Sequence, residues 1–144
     1  MVKELISQGY TVNKPKFNMN LPEKVFDFLY PYNSAEQEYI LLITLDIKLN
    51  VLNTHEVTKG LLYGSLIDAR EVFKRALMDN ARSFILSHNH PSGDTTPSIE
   101  DIEMTKQLIS ACRIMSIDML DHIIISSSGF NSLRQSTCLW ETVK

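Results

Sequence analysis

The stretch Ser87-His88-Asn89-His90-Pro91-Ser92-Gly93-Asp94-Thr95-Thr96-Pro97-Ser98-Ile99-Glu100-Asp101 puts two histidines one residue apart, then a turn-rich loop, then a serine and an aspartate where a helix starts. Ahead of it, Arg82-Ser83-Phe84-Ile85-Leu86-Ser87 reads as a buried strand. In an extended strand, residues i and i+2 point to the same side. His88 and His90 therefore grip one ion from the strand's end, while Asn89 faces away. Pro91, Gly93 and Pro97 bend the chain sharply enough to bring Asp101 back to them. Imidazole and carboxylate are the ligand types that hold zinc where one coordination position is left open for water. The stretch thus predicts a strand–loop–helix unit carrying a site of two histidines and one carboxylate.

Ser98 and Asp101 also fit the capping-box spacing that starts a helix. Downstream, Ile99, Ile102, Leu108, Ile109 and Cys112 keep the helical period to about residue 115. The two readings are compatible, because a carboxylate in a first turn is well placed to face a cation. Working outward, residues 22–30 predict a helix with Val25, Phe26, Phe28 and Leu29 clustered and Pro22 near its first turn. Pro31-Tyr32-Asn33-Ser34 then breaks it. Residues 38–47, with the run Tyr39-Ile40-Leu41-Leu42-Ile43, read as a strand covered on both faces. Residues 50–58 and 61–67 predict further strands, and 70–80 a helix with Val72, Phe73, Ala76 and Leu77 on one face. A strand over 119–127 and a last one near 130–133 follow. The order is that of a mixed sheet flanked by helices, an α/β sandwich.

His-x-His, seven residues, Ser, two residues, Asp is the signature of the JAMM (MPN-plus) metallopeptidases, and the chain resembles that group. Ser87-His88-Asn89-His90-Pro91-Ser92-Gly93 with Pro97-Ser98 and Asp101 resembles its bacterial RadC-like branch. Glu38-Tyr39, Arg70-Glu71-Val72-Phe73-Lys74-Arg75-Ala76-Leu77 and Asp121-His122-Ile123-Ile124-Ile125 agree with that branch. The resemblance covers roughly residues 36–135 and is highly specific in its motifs. It implies a cytidine-deaminase-like, JAMM-type sandwich over 21–144, preceded by an arm at 1–20. Leu61 and Asp68-Ala69 depart from residues the family often has, Thr and His-Pro, which leaves the metal ligands untouched. Longer members carry a helical N-terminal region of helix-hairpin-helix character, for which these 144 residues leave no room.

A chain of 144 residues with 44% hydrophobic content suits one domain with a core of its own. Its apolar runs fall short of the ~20 residues of a membrane span, and residues 1–10 lack a signal-peptide pattern. A cytoplasmic protein is expected. Two cysteines, Cys112 and Cys138, make no disulfide framework, and Cys112 is expected on the helix face. The net charge of −3 and pI near 5.8 argue against a broad nucleic-acid footprint. Arg70, Lys74, Arg75 and Arg82 read as a solvated helix face.

Three protein ligands, His88, His90 and Asp101, with one Zn2+ per chain make a catalytic rather than structural site. Hydrolysis then needs a carboxylate to take and return a proton. Glu36, Glu38 and Glu56 are the candidates; spacing leaves the choice open, since Glu36 and Glu38 share a strand face. The resemblance points to Glu38. For Ser98 an N-cap role follows from position, and the resemblance implies a second role in stabilising an oxyanion. Asp94 is assigned to the turn, His55 to structure or solvent, and His122 to the core, with a role behind the metal ligands in reserve. A zinc-dependent hydrolase cleaving an amide in a peptide or protein is the leading expectation. The alternatives are a DNA-repair-associated protein acting on or binding DNA and a non-catalytic MPN interaction module. A comparison of His88-Asn89-His90 with HNH nucleases is discounted, because their named residues are spread over a ββα unit instead of lying adjacent.

Overall fold

The computed structural model describes residues 16–59 and 67–143. Five strands make one sheet: β1 (Tyr39–Leu45), β2 (Val51–Lys59), β3 (Ser83–Asn89), β4 (Asp118–Ser126) and β5 (Gly129–Ser132). Their order is β2-β1-β3-β4-β5. All neighbours are antiparallel except β3 and β4, which run parallel. A parallel pair needs a crossover, and α3 (Ile99–Met115) lies within it. Helices α1 (Pro22–Phe28) and α2 (Ala69–Met78), a 3-10 turn at Tyr32–Ser34, and short helices α4 (Leu133–Ser136) and α5 (Leu139–Thr142) complete the described chain. The fold is the expected mixed sheet flanked by helices, of the JAB/MPN type. Among the described residues no helix is long and apolar enough to cross a membrane.

The alternation of side chains across β1 and β3 divides the interior in two. Ile40, Leu42, Phe84 and Leu86 join Val72, Phe73 and Ala76 of α2 and Met104, Leu108 and Cys112 of α3. Leu41, Ile43 and Ile85 join Val25 and Leu29 beside α1. Being covered on both faces is why β1 reads as a continuous apolar run and not as an alternation. Met19 is buried in the second cluster and Asn18 bridges to Asn50, so the described end of the expected arm belongs to the domain. Residues 1–15, and the strand expected at 61–67 as far as residue 66, lie outside the described residues.

Several boundaries and faces differ from expectation. The metal-side strand continues through His88 and Asn89 instead of ending at Ser87. Leu77 is 55% exposed and Ile99 80% exposed, so neither contributes to its helix's buried face. Asp68, at the departure from the family pattern, caps α2 by accepting a hydrogen bond from the Arg70 N–H. Arg70 pairs with Asp68 and Arg75 with Glu71, as on a solvated helix face. Cys112 is buried and Cys138 exposed, both as free thiols.

Phe84, fully buried, meets Phe73 edge-on with ring centroids 5.7 Å apart. Truncation there leaves a cavity between sheet and α2. Phe84→Ala is expected to cost about 3–5 kcal/mol in urea unfolding, against no more than about 0.5 kcal/mol for the exposed Leu77→Ala.

Candidate metal centre

His88 is the next-to-last residue of β3, on the same face as Leu86, and so points toward α3. His90 follows the strand, its N–H held by the Ile125 carbonyl of β4 at 2.9 Å. The loop then turns on Gly93, whose φ of +89° favours glycine. The Gly93 carbonyl accepts from the Ser126 and Ser128 hydroxyls, and the Thr95 carbonyl from the Asn131 amide. The hairpin between β4 and β5 thereby anchors the loop. Asp94 spends its carboxylate on the backbone and hydroxyl of Thr96, as a turn residue does.

At the far end of the loop Ser98 and Asp101 form a reciprocal capping box. The Ser98 oxygen accepts from the Asp101 N–H at 3.0 Å, and Asp101 Oδ2 accepts from the Ser98 N–H at 2.8 Å. Capping fixes the Asp101 rotamer so that its carboxylate faces the imidazoles. His88 Nε2 lies 3.0 Å from Asp101 Oδ1, and His90 Nε2 lies 3.2 Å from Asp101 Oδ2. The two Nε2 atoms are 2.8 Å apart. The three side chains are only 4%, 14% and 8% exposed, so water screens this convergence little.

Burial pushes the Asp101 carboxyl up, but hydrogen bonds from His88 and His90 outweigh it and hold the carboxyl well below the usual carboxylate range. The same contact raises His90 above its ordinary value, with burial opposing and the Asp94 carbonyl assisting. That carbonyl lies 2.7 Å from His90 Nδ1. A carbonyl only accepts, so Nδ1 carries the proton and a neutral His90 presents a bare Nε2 to the centre. One carboxylate and nitrogen lone pairs meeting at such distances call for a positive charge between them. The donor set fits a divalent metal ion.

A cleft of about 300 Å³ opens beside these groups, lined by Glu38, Ile40, Pro91, Ser98, Glu100 and Met104 together with the three ligand-type residues. Of the three carboxylates open from spacing, only Glu38 lines it. Glu36 is exposed in the bend before β1, not on a shared strand face with Glu38. Glu56, on β2, accepts a hydrogen bond from the Tyr32 hydroxyl, which pushes Tyr32 up to about 12. His55 bonds Asp79 at 2.7 Å, away from the cleft.

Two further arrangements complete the surroundings: the use of Asn89 had little signal in the sequence, whereas His122 was expected in the core with a role behind the histidines in reserve. Asn89 is fully buried on the opposite face from His88, and its amide spans the approach to β1. Its Oδ1 accepts from the Tyr39 N–H at 2.7 Å, and its Nδ2 donates to the Gln37 and Ala35 carbonyls at 2.8 and 3.3 Å. Glu38 lies between two of these anchor points. His122, fully buried on β4, lies 2.9 Å from His88 Nδ1 and 2.7 Å from the Thr105 hydroxyl. Burial pushes its pKa down to about 3, so it is neutral. Thr105 shared a helix face with Asp101 at spacing i+4, the one clue to it in the sequence.

A mixed sheet with His-x-His at the end of a central strand and an aspartate at the following helix start defines a JAB-type domain. The chain belongs to the RadC-like JAB domain family, whose model matches residues 19–138. It is 44% identical over 117 residues to a UPF0758 protein of Symbiobacterium thermophilum, covering 79% of this chain and 49% of that one. It is 40% identical over 124 residues to a UPF0758 protein of Methanosarcina mazei, covering 85% and 54%. A UPF0758 protein of Clostridium perfringens is 46% identical over 103 residues, covering 72% and 45%. The chain thus spans about half the length of the curated relatives it matches.

Removing the Asn89 amide takes away its hydrogen bonds to the Tyr39 N–H and the Gln37 carbonyl, both part-buried. Each such bond is worth about 0.5–1.5 kcal/mol. Asn89→Ala is expected to lower the free energy of unfolding by at least that much in a denaturant titration, while Glu36→Ala shifts it by no more than about 0.5 kcal/mol.

Proposed function

We propose that this chain is a zinc-dependent hydrolase of the JAMM type that cleaves an amide bond in a peptide or protein. The observation that supports it most is the placing of one carboxylate, Glu38, in the same cleft as a buried two-histidine, one-aspartate set. His88, His90 and Asp101 are the zinc ligands in this reading, leaving a coordination position open. When bound, the ion lowers the pKa of a water in that position toward neutrality and polarises the substrate carbonyl.

Glu38 takes the proton of the attacking water and returns it to the leaving nitrogen, the exchange a carboxylate at a cleft edge can perform. Ser98 uses its oxygen as the acceptor of the cap. Its own proton is left to donate toward an oxyanion in the cleft it lines. The other two readings draw less support. The acidic balance of −3, with Arg70 and Arg75 already paired to carboxylates, offers few phosphate contacts. A non-catalytic module has no use for a full ligand set with a carboxylate beside it.

Purified protein is expected to carry about one zinc per chain, and His88→Ala or Asp101→Ala to abolish uptake, measured by elemental analysis. Unchanged stoichiometry in both variants would overturn the assignment. Against a substrate found by an unbiased peptide-cleavage screen, Glu38→Gln is expected to keep its zinc and lose roughly 10²–10⁴-fold in turnover. An inactive Glu56→Gln beside a fully active Glu38→Gln would move the role to Glu56.

Ser98 separates its two roles by variant. Ser98→Ala is expected to cost about 1 kcal/mol of stability as a lost cap and roughly 100-fold in turnover as a lost oxyanion donor. Ser98→Asp keeps an N-cap but sets negative charge beside the oxyanion, so a folded, inactive protein is expected. A stable, fully active Ser98→Asp would leave the serine as a cap alone.

A further inference from the structure

The contacts behind His88 run in one direction. Thr105 Oγ1 is 2.7 Å from the Asp101 main-chain carbonyl, one helical turn back, and 2.7 Å from His122 Nδ1. A hydroxyl has one proton to give. If Thr105 gave it to His122, two oxygens would face each other at 2.7 Å with no hydrogen between them, which is repulsive. The proton therefore goes to the carbonyl, as threonine in a helix commonly arranges. The contact to His122 must then carry the Nδ1–H of the ring. His122 Nε2 is left as a lone pair, and the 2.9 Å contact beyond it must carry the Nδ1–H of His88. His88 ends the chain with its Nε2 lone pair turned toward Asp101 Oδ1 at 3.0 Å, open to whichever positive charge, proton or cation, lies between them. Asp101 closes the circuit at both ends, with its carbonyl and with its carboxylate.

The geometry points to Thr105 and His122 as positioning residues that lock His88 in the Nδ1–H tautomer and aim its Nε2 lone pair at a divalent cation. Asp101 is the fixed acceptor from which the whole order is set. Groups behind a metal-bound histidine select its tautomer and ring orientation in this way. Here the selecting acceptor belongs to another residue of the ligand set, so one helix turn fixes two ligands together. The inference rests on the reading of His88 and Asp101 as cation ligands; it needs no substrate and no assumption about hydrolysis.

The test uses Zn2+ alone. Affinity is measured by competition with a chromophoric chelator in wild type, Thr105→Val and Thr105→Ser, alongside thermal unfolding of each metal-free protein. Valine matches threonine in shape and lacks the hydroxyl. Thr105→Val is expected to weaken zinc binding about 10–100-fold, and Thr105→Ser to hold near wild type. Nitrogen-15 histidine spectra of the zinc-loaded wild type are expected to place the protons of both His88 and His122 on Nδ1. A folded Thr105→Val with wild-type affinity, or a His122 proton on Nε2, overturns the inference. So does a Thr105→Val whose only change is a lower unfolding midpoint, the mark of a structural role. Should Thr105→Val fail to fold, the wild-type spectra decide alone. A wild type that takes up no zinc overturns the ligand reading and this inference together, which sets that failure apart from the relay's own.

Discussion

Everything at this site depends on β3 being covered on both faces while its residues alternate between them. Phe84, Leu86 and His88 face α3, and Ile85 and Asn89 face the other way. One face therefore delivers a ligand-type histidine to the helix that carries Asp101. The other face uses Asn89 to tie down the start of β1. The antiparallel register pairs Ile40 with His88. Continued by two residues, it sets Glu38 across from His90 and on the same face as Ile40. A slip of one residue would reverse every one of these placements. The apolar side chains on both faces of β1 and β3 forbid that slip, so the core holds the geometry of the centre as well as the stability of the domain.

That division explains what the sequence disclosed. The pairing of His88 with His90, the return of Asp101 and the cap at Ser98 were all legible, because each depends on local rules: strand period, turn residues and helix capping. The continuous apolar run of β1 was legible for the same kind of reason. Which of Glu36, Glu38 and Glu56 lines the cleft was not legible from spacing. It turns on where the chain straightens into β1, just after Glu38, and on a partner for Glu56, Tyr32, that lies 24 residues away. Asn89 illustrates the limit well. The strand period showed that it faces away from the ligands, yet its use depends on contacts with residues about 50 positions earlier. Burial on helices was over-read for Leu77 and Ile99, whose positions in the period match an apolar face but which are exposed.

Asp101 concentrates the electrostatic argument. As the third residue of α3 it lies where the helix field favours an anion, by about 0.3–1 kcal/mol in exposed cases. The same field opposes a cation placed against that end of the helix. The carboxylate resolves the conflict by standing between them, with the helix amides and the Ser98 N–H on one side and two imidazoles on the other. A buried carboxylate whose other side offered only nitrogen lone pairs would be an uncompensated charge, and such charges are costly in a protein interior. Either a proton or a metal ion must therefore occupy the space between Asp101, His88 and His90. The His90 contact with the Asp94 carbonyl keeps one nitrogen of that ring protonated, which leaves Nε2 as the only place where proton and ion compete. The capping box that begins the helix is thus also the device that makes its first turn a binding site for positive charge.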